Sequence, residues 1–354
     1  MFRSWQPPTE SPLPLLITGV SGVVGYNALP YFLARHPGQV TGLRQRDNWR
    51  LNGPGVVPCD AEDADELARL FDRHRFAAVL NCAGNCALRS CQLDPAMAWR
   101  INVAGVENLL RIAEGRDVRL VHLSVDLVFS GNRDGGHVEE DPTDPVTVYG
   151  QTMVEAERRV LWADLAAAVL RISLPMGVSF NGHSGAIDWI QSRFKKSRPA
   201  TLYFDEIRTP HYTDCLNELC AAVLTSDLAG LYHAGGARPL SLFQIAQIIN
   251  RVGGYDPDLL MGCPRIEAGP IPPRAGNVTM DCRKLIAALG YEPLAPWPCD
   301  PQWVPTDRDW HRRRDGEPGS PALLAEVLYR NPLRRDAPAT DLRAGGAASR
   351  DQPA

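Results

Sequence analysis

Two short runs in this 354-residue sequence combine residue types and spacings suited to chemistry. Thr18-Gly19-Val20-Ser21-Gly22-Val23-Val24-Gly25 follows an apolar stretch and opens a helical one. Glycines so placed allow a tight turn and close approach of the backbone to a pyrophosphate, whose charge rests at a helix N-terminus. Gly19, Ser21, Gly22, Val23, Val24 and Gly25 are therefore candidate dinucleotide contacts, against the plainer reading of a tight turn without a ligand. The second run, Thr41-Gly42-Leu43-Arg44-Gln45-Arg46, ends the next apolar stretch. A carboxylate there would bind the ribose hydroxyls of NAD, whereas arginine accepts the 2'-phosphate of NADP. No acid is present, and Arg44 and Arg46 can offer bidentate hydrogen bonds to phosphate. NADP(H) is the expected cofactor and NAD the alternative; a solvated basic loop is the competing explanation.

These residues need a scaffold, and the first 175 positions alternate strand-like apolar runs with helical ones. Strands are predicted at Leu13–Thr18, Gln39–Leu43, Ala77–Asn81, Arg119–Ser124 and Ala167–Ile172, and helices at Tyr26–Arg35, Asp63–His74, Pro95–Glu114 and Val148–Trp162. The fold class is α/β: a Rossmann doubly wound parallel sheet with a smaller C-terminal α/β substrate lobe. The expected division is an N-terminal extension at 1–13, an NADP-binding Rossmann domain at 14–175, a substrate lobe at 176–314 with some elements returning to the first sheet, and a linker and disordered tail at 315–354. The tail assignment rests on the Arg, Ala, Gly and Pro content, strongest from Asn331 onward.

In that frame Asp60 lies where adenine contacts fall, and Asn81-Cys82-Ala83-Gly84 ends a strand with small residues that let a cofactor pass close to the backbone. Asn85 and Arg89 come next, on a loop facing the cleft, and are candidate substrate contacts. Arg208 and Arg274 could hold a nucleotide diphosphate; surface or interdomain salt bridges are equally open for them.

Bulk properties exclude several classes. A formal charge of -4 with 22% charged residues gives no basic surface for nucleic acid. No run is apolar and long enough to span a membrane, and the N-terminus has no apolar segment of signal-peptide type, so a cytoplasmic location is expected. Nine cysteines, an odd number, suit free thiols in a reducing compartment. Cys82, Cys86 and Cys91 cluster at a spacing that matches no zinc pattern, and no metal is assigned.

The glycine run, Asn81–Gly84 and the order of elements resemble the extended short-chain dehydrogenase/reductase superfamily. Downstream, Ser124-Val125-Asp126-Leu127-Val128-Phe129-Ser130-Gly131 resembles the Ser-Thr-Asp-Tyr-Val-Phe-x-Gly segment of dTDP-4-dehydrorhamnose reductases, and Val148-Tyr149-Gly150-Gln151-Thr152 their Tyr-Gly-x-Thr-Lys segment. Arg208-Thr209-Pro210, Gly230-Leu231-Tyr232-His233 and Pro273-Arg274 through Lys284-Leu285 are similar to that family's substrate lobe.

The resemblance implies a keto-sugar nucleotide as substrate and a homodimer as the assembly to test. It also implies a Thr or Ser, a Tyr and a Lys at the reacting centre, in which the hydroxyl residue holds the carbonyl, Tyr gives it a proton, and Lys both holds the cofactor ribose and lowers the Tyr pKa. Tyr149 matches, as catalytic residue and as cofactor contact, but Val125 stands at the Thr position and Met153 at the Lys position. Ser124 is a substitute hydroxyl if the strand end shifts by one residue, although side-chain alternation points it the other way. Asp126 sits where related dehydratases hold a catalytic acid. Three activities are open: an NADP-dependent reductase, a catalytically impaired NADP-binding regulatory subunit similar to the β subunit of methionine adenosyltransferase, and a non-redox lyase or isomerase using Asp126.

Overall fold

The computed structural model describes residues 12–163, 165–314 and 318–334. The extension expected at the N-terminus falls, up to residue 11, outside the described residues, as does the tail from residue 335.

Seven parallel strands form the central sheet: β1 (Leu15–Thr18), β2 (Val40–Arg44), β3 (Val56–Pro58), β4 (Ala78–Asn81), β5 (Arg119–Val125), β6 (Ala167–Ile172) and, after four short strands, β11 (Gly230–Ala234). Their order is β11-β6-β5-β4-β1-β2-β3. Chain direction across the sheet reverses between β1 and β4, which opens a crevice at their C-terminal ends.

Alternation along the strands buries both faces. Leu15 and Ile17 of β1, Leu80 of β4, Val121 of β5 and Leu170 of β6 join one apolar cluster. Their neighbours Leu16, Val79, Leu120 and Val169 join the cluster on the opposite face. A sheet covered on both sides requires such near-continuous apolar runs, which is why these strands could be read from sequence.

Helix α1 (Val23–Arg35) and α8 (Thr213–Leu224) pack together on the first face, and α2 (Ala64–His74), α5 (Gly105–Ala113) and α6 (Val148–Trp162) on the second. Asp63 caps α2 by accepting a hydrogen bond from Glu66 N, and Thr147 caps α6 by accepting one from Gly150 N. Gly22, at the head of α1, provides no side-chain cap.

The helix expected over Pro95–Glu114 is not continuous. Short α3 (Leu88–Leu93) and α4 (Pro95–Trp99) lead into a π-helical turn at Arg100–Ala104 before α5 begins. Such a turn inserts a residue into the helical ladder and rotates the helix beyond it.

Beyond β6 the chain builds three two-stranded ladders: β7 (Pro175–Met176) with β10 (His211–Tyr212), β8 (Ala200–Tyr203) with β13 (Leu260–Cys263), and β9 (Ile207–Arg208) with β12 (Leu240–Ser241). Around them lie α7 (Ala186–Lys195), α9 (Leu242–Val252) and α10 (Arg283–Leu289). Gly230–His233, assigned by resemblance to the substrate lobe, lies in β11 at the edge of the first sheet, parallel to β6.

The linker and tail expected from residue 315 require correction over residues 318–334. Helix α11 (Pro321–Leu328) is capped by Ser320 and packs on α9, with Leu324 and Leu328 fully buried. Trp297 Nε1 donates to Leu328 O at 2.9 Å and the Tyr212 hydroxyl to Val327 O at 2.9 Å. Apolar burial on one side of a short helix outweighs the polar, proline-rich flanks that suggested disorder.

Candidate active site

A cleft opens at the C-terminal ends of β1, β2 and β4 and is lined by Thr18, Gly19, Ser21 and Gly22, by Leu43 and Gln45, and by Asn81–Gly84. Ile101, Gly105, Val106 and Leu109 of the π turn and α5 close its floor. Gly19 has φ of +67°, and a Cβ there would lie 2.5 Å from Cys82 O. A Cβ on Gly25 would lie 2.5 Å from Gly19 O. The turn is therefore closed to any side chain at these positions, and the uncapped N–H groups of α1 face the cleft end. That cradle fits a pyrophosphate.

A buried relay fixes the turn against β4. Thr18 Oγ1 donates to Asn81 Oδ1 at 2.5 Å and accepts from Cys82 N and Ala83 N at 3.1 Å. Asn81 Nδ2 lies 2.9 Å from His122 Nδ1, and burial pushes that imidazole down to about 4, so it stays neutral.

Gly19, Ser21, Gly22, Asn81, Cys82, Ala83 and Gly84 thus line one cleft, while Val23, Val24 and Gly25 form the first turn of α1 behind them. Of the two arginines, Arg44 is not placed as expected, and Arg46 has carboxylate partners of its own. Arg44 is buried, with Nη1 donating to Gln45 O and Arg46 O, because strand alternation points Leu43 and Gln45 into the cleft and Arg44 away. Arg46 is half exposed and ion-paired to Asp60 at 3.2 Å and Asp63 at 2.7 Å. Asp60, assigned to adenine, is the partner of Arg46 and does not line the cleft.

Sequence reasoning missed three participants. Gln45 reaches the cleft, Asn48 bridges Ser21 Oγ (3.1 Å) and Gln45 Oε1 (3.3 Å), and Asn102 sits on the π turn. Asn102 Oδ1 accepts from Asn85 N at 2.7 Å, and its amide donates to Thr152 Oγ1 at 2.9 Å. It ties the loop after β4 to α6. The only available signal was a polar residue inside an apolar helical stretch.

Tyr149 lies in the first turn of α6, buried among Cys91, Val128, Phe129 and Met153, with Val125 packed against the same cluster. Burial is the main force pushing its phenol well above the usual range; Cys86 and Asp126 add to it and Arg208 opposes. Asn85 is turned inward, its amide 3.2 Å from Met97 Sδ, and Arg89 is exposed on α3.

The remaining candidates have partners of their own. Ser124 faces the other side of the sheet, where its hydroxyl donates to Glu157, itself paired with Arg171 at 2.8 Å. Asp126 is fully buried and both its oxygens are engaged: Arg208 donates from Nη2 to Oδ1 and from Nε to Oδ2, each at 2.6 Å, and Ser173 Oγ donates to Oδ2 at 2.5 Å. Arg208 and Arg274 bind carboxylates, Arg274 meeting Glu206 at 2.7 Å. Burial works against the Arg208 charge, but Asp126 with Glu206 more than offsets it and raises the guanidinium pKa. Glu206, buried between the two arginines, is raised by that burial against their attraction.

The family model described as RmlD substrate binding domain matches residues 13–300. The chain belongs to the RmlD substrate-binding-domain family. This RmlD-family chain is 31% identical over 247 residues to a probable dTDP-4,6-dihydroxy-2-methyloxan-3-one 4-ketoreductase of Streptomyces antibioticus, covering 68% of this chain and 78% of the relative. It is 28% identical over 291 residues to a dTDP-4-dehydrorhamnose reductase of Streptomyces griseus, covering 80% and 90%. A methionine adenosyltransferase 2 subunit beta of Xenopus laevis matches at 24% over 295 residues, covering 76% and 80%. Among solved structures, a dTDP-4-dehydrorhamnose reductase of Bacillus anthracis in complex with NADP superposes with a TM-score of 0.70 at 19% identity, covering 80% and 95%. That likeness is one of fold.

Proposed function

We propose that this RmlD-family protein is an NADP(H)-dependent oxidoreductase that reduces the keto group of a nucleotide sugar, with Tyr149 as proton donor. The observation that carries the reading is the uncapped, side-chain-free cradle at the head of α1, in a chain whose relatives include nucleotide-sugar reductases. Gly19, Ser21 and Gly22 would hold the pyrophosphate, Gln45 and Arg46 the adenosine ribose, and Asn81–Gly84 the path toward the nicotinamide. When bound, the nicotinamide supplies the hydride.

Tyr149 supplies the proton, from its phenol oxygen to the carbonyl oxygen as negative charge develops there. Reduction needs this group protonated, and burial keeps it so at neutral pH. Met153 stands where the family lysine would, and the Arg208 charge lowers the phenol pKa only against the larger effect of burial. The reverse oxidation, which needs a phenolate base, is disfavoured.

The test is NADPH consumption with a dTDP-4-keto-6-deoxy sugar. Turnover in the parent and a loss of about a hundredfold or more in Tyr149→Phe support the reading. Tight NADPH binding without turnover would instead favour a cofactor-binding regulatory subunit, which the loss of the Lys and Thr at Met153 and Val125 allows.

Cofactor choice has its own test: NADPH binds more tightly than NADH, and Arg46→Ala narrows the difference while Arg44→Ala leaves the ratio unchanged. Equal affinities in the parent would sink the NADP assignment. A cytoplasmic location and a homodimer complete the reading, the latter checked by sedimentation. No helix among the described residues is long and apolar enough to cross a membrane.

A further inference from the structure

We propose that the C-terminal segment 318–334 braces the dinucleotide end of the cleft, with Tyr329 as a positioning residue acting through Asp188 and the loop 177–185 on the first turn of α1. The segment lies beyond the matched family region, which ends at residue 300. The inference rests on the reading that the head of α1 receives a dinucleotide pyrophosphate.

The chain of contacts is short. The Tyr329 hydroxyl donates to Asp188 Oδ1 at 2.5 Å. The other oxygen of this buried carboxylate, Oδ2, accepts from Ser179 N at 2.7 Å and from Ser179 Oγ at 2.5 Å. On its far side the loop meets α1. Val178 O accepts from Asn27 Nδ2 at 2.8 Å, the Phe180 and Tyr26 rings lie 6.2 Å apart, and a Cβ on Gly185 would lie 3.3 Å from Val23 Cγ2.

Val23 is the first residue of α1, directly after the turn that forms the cradle. An uncapped helix end binds an anion only as well as it is aimed, and the aim of α1 is set by the groups packed on its first turns. Docking of α11 itself is secured by Leu324, Leu328 and the bonds from Trp297 and Tyr212. The Tyr329 hydroxyl is directed instead at Asp188. Hydrogen bonds to a carboxylate are the stronger kind, and removing this donor leaves a buried oxygen to seek another partner, which loosens its hold on Ser179.

Titration of the full chain with NADPH, followed by fluorescence, tests this with Tyr329→Phe, Ser179→Ala and the double variant. Each single variant is expected to raise the NADPH Kd and KM about fivefold, with KM for the keto-sugar nucleotide and kcat unchanged. The double variant should lose no more than either single, because both act along one path. If Tyr329→Phe fails to fold, Ser179→Ala carries the test. A parent that binds NADPH with both variants equal to it, or losses that multiply in the double variant, overturns the brace alone. A parent that binds neither NADPH nor NADH removes the dinucleotide reading and the brace with it.

Discussion

Tyr149 and Met153 stand one helical turn apart on α6, both buried, in a cluster whose other members are apolar or thiol side chains. A cation at position 153 would lower the phenol pKa; a thioether leaves it to the desolvation that raises it. Reduction by the parent should therefore show no alkaline loss of proton donor between pH 6 and 9, as a rate profile at saturating NADPH will show. Met153→Lys should destabilise the fold, since the new charge is buried beside apolar neighbours. It should also raise the reverse oxidation at pH 8 to 9 by about tenfold or more, because part of Tyr149 becomes phenolate. A parent that already oxidises the product readily at pH 8 would show that another group serves as base. Asp126 cannot be read as that base, because Arg208 and Ser173 occupy both its oxygens.

At the scale of elements, the features visible in the sequence were those with local periodicity. Strands β1, β4, β5 and β6 were legible because residues buried on both faces make unbroken apolar runs, and the Gly19–Gly25 turn because only glycine satisfies its contacts. Arg44 was misplaced by the same logic carried one residue too far: the strand end alternates, and Gln45 faces the cleft. The ion pairs that claim Arg208 and Arg274 join segments 60 or more positions apart in sequence, and no local pattern announces them. The π turn carrying Asn102 hid inside a helical periodicity, and α11 hid behind its flanks. Because Leu328 is fully buried, Leu328→Ala should cost about 2 to 5 kcal/mol, measured by chemical denaturation. A cost under about 0.5 kcal/mol, the usual size of a surface substitution, would mean that α11 is not docked in solution.

For the molecule as a whole, acid sensitivity is expected from buried histidines. Burial lowers His122, His211 and His233 to about 4 each, from an ordinary value of 6.5. The unfolded chain takes up their protons below pH 6.5 while the folded chain does not, so the stability they contribute is intact above 6.5 and is lost as pH falls toward 4. The slope is on the order of 1 kcal/mol per pH unit for each histidine. Denaturation midpoints should fall steeply between pH 6.5 and 4.5; a flat profile across that window would show the three imidazoles to be solvated.

The position of β11 bears on how the chain is made. Arg171 on β6 and His233 on β11 are 62 positions apart, yet they touch across neighbouring strands. A ribosome releasing this chain completes β1 through β6 well before the strand that seals their edge. Throughout that interval β6 offers an open row of backbone donors and acceptors to any other strand, including the same strand of a neighbouring nascent chain. The central sheet is thus completed by a strand from beyond residue 175, and β6 stays an open edge until β11 pairs with it.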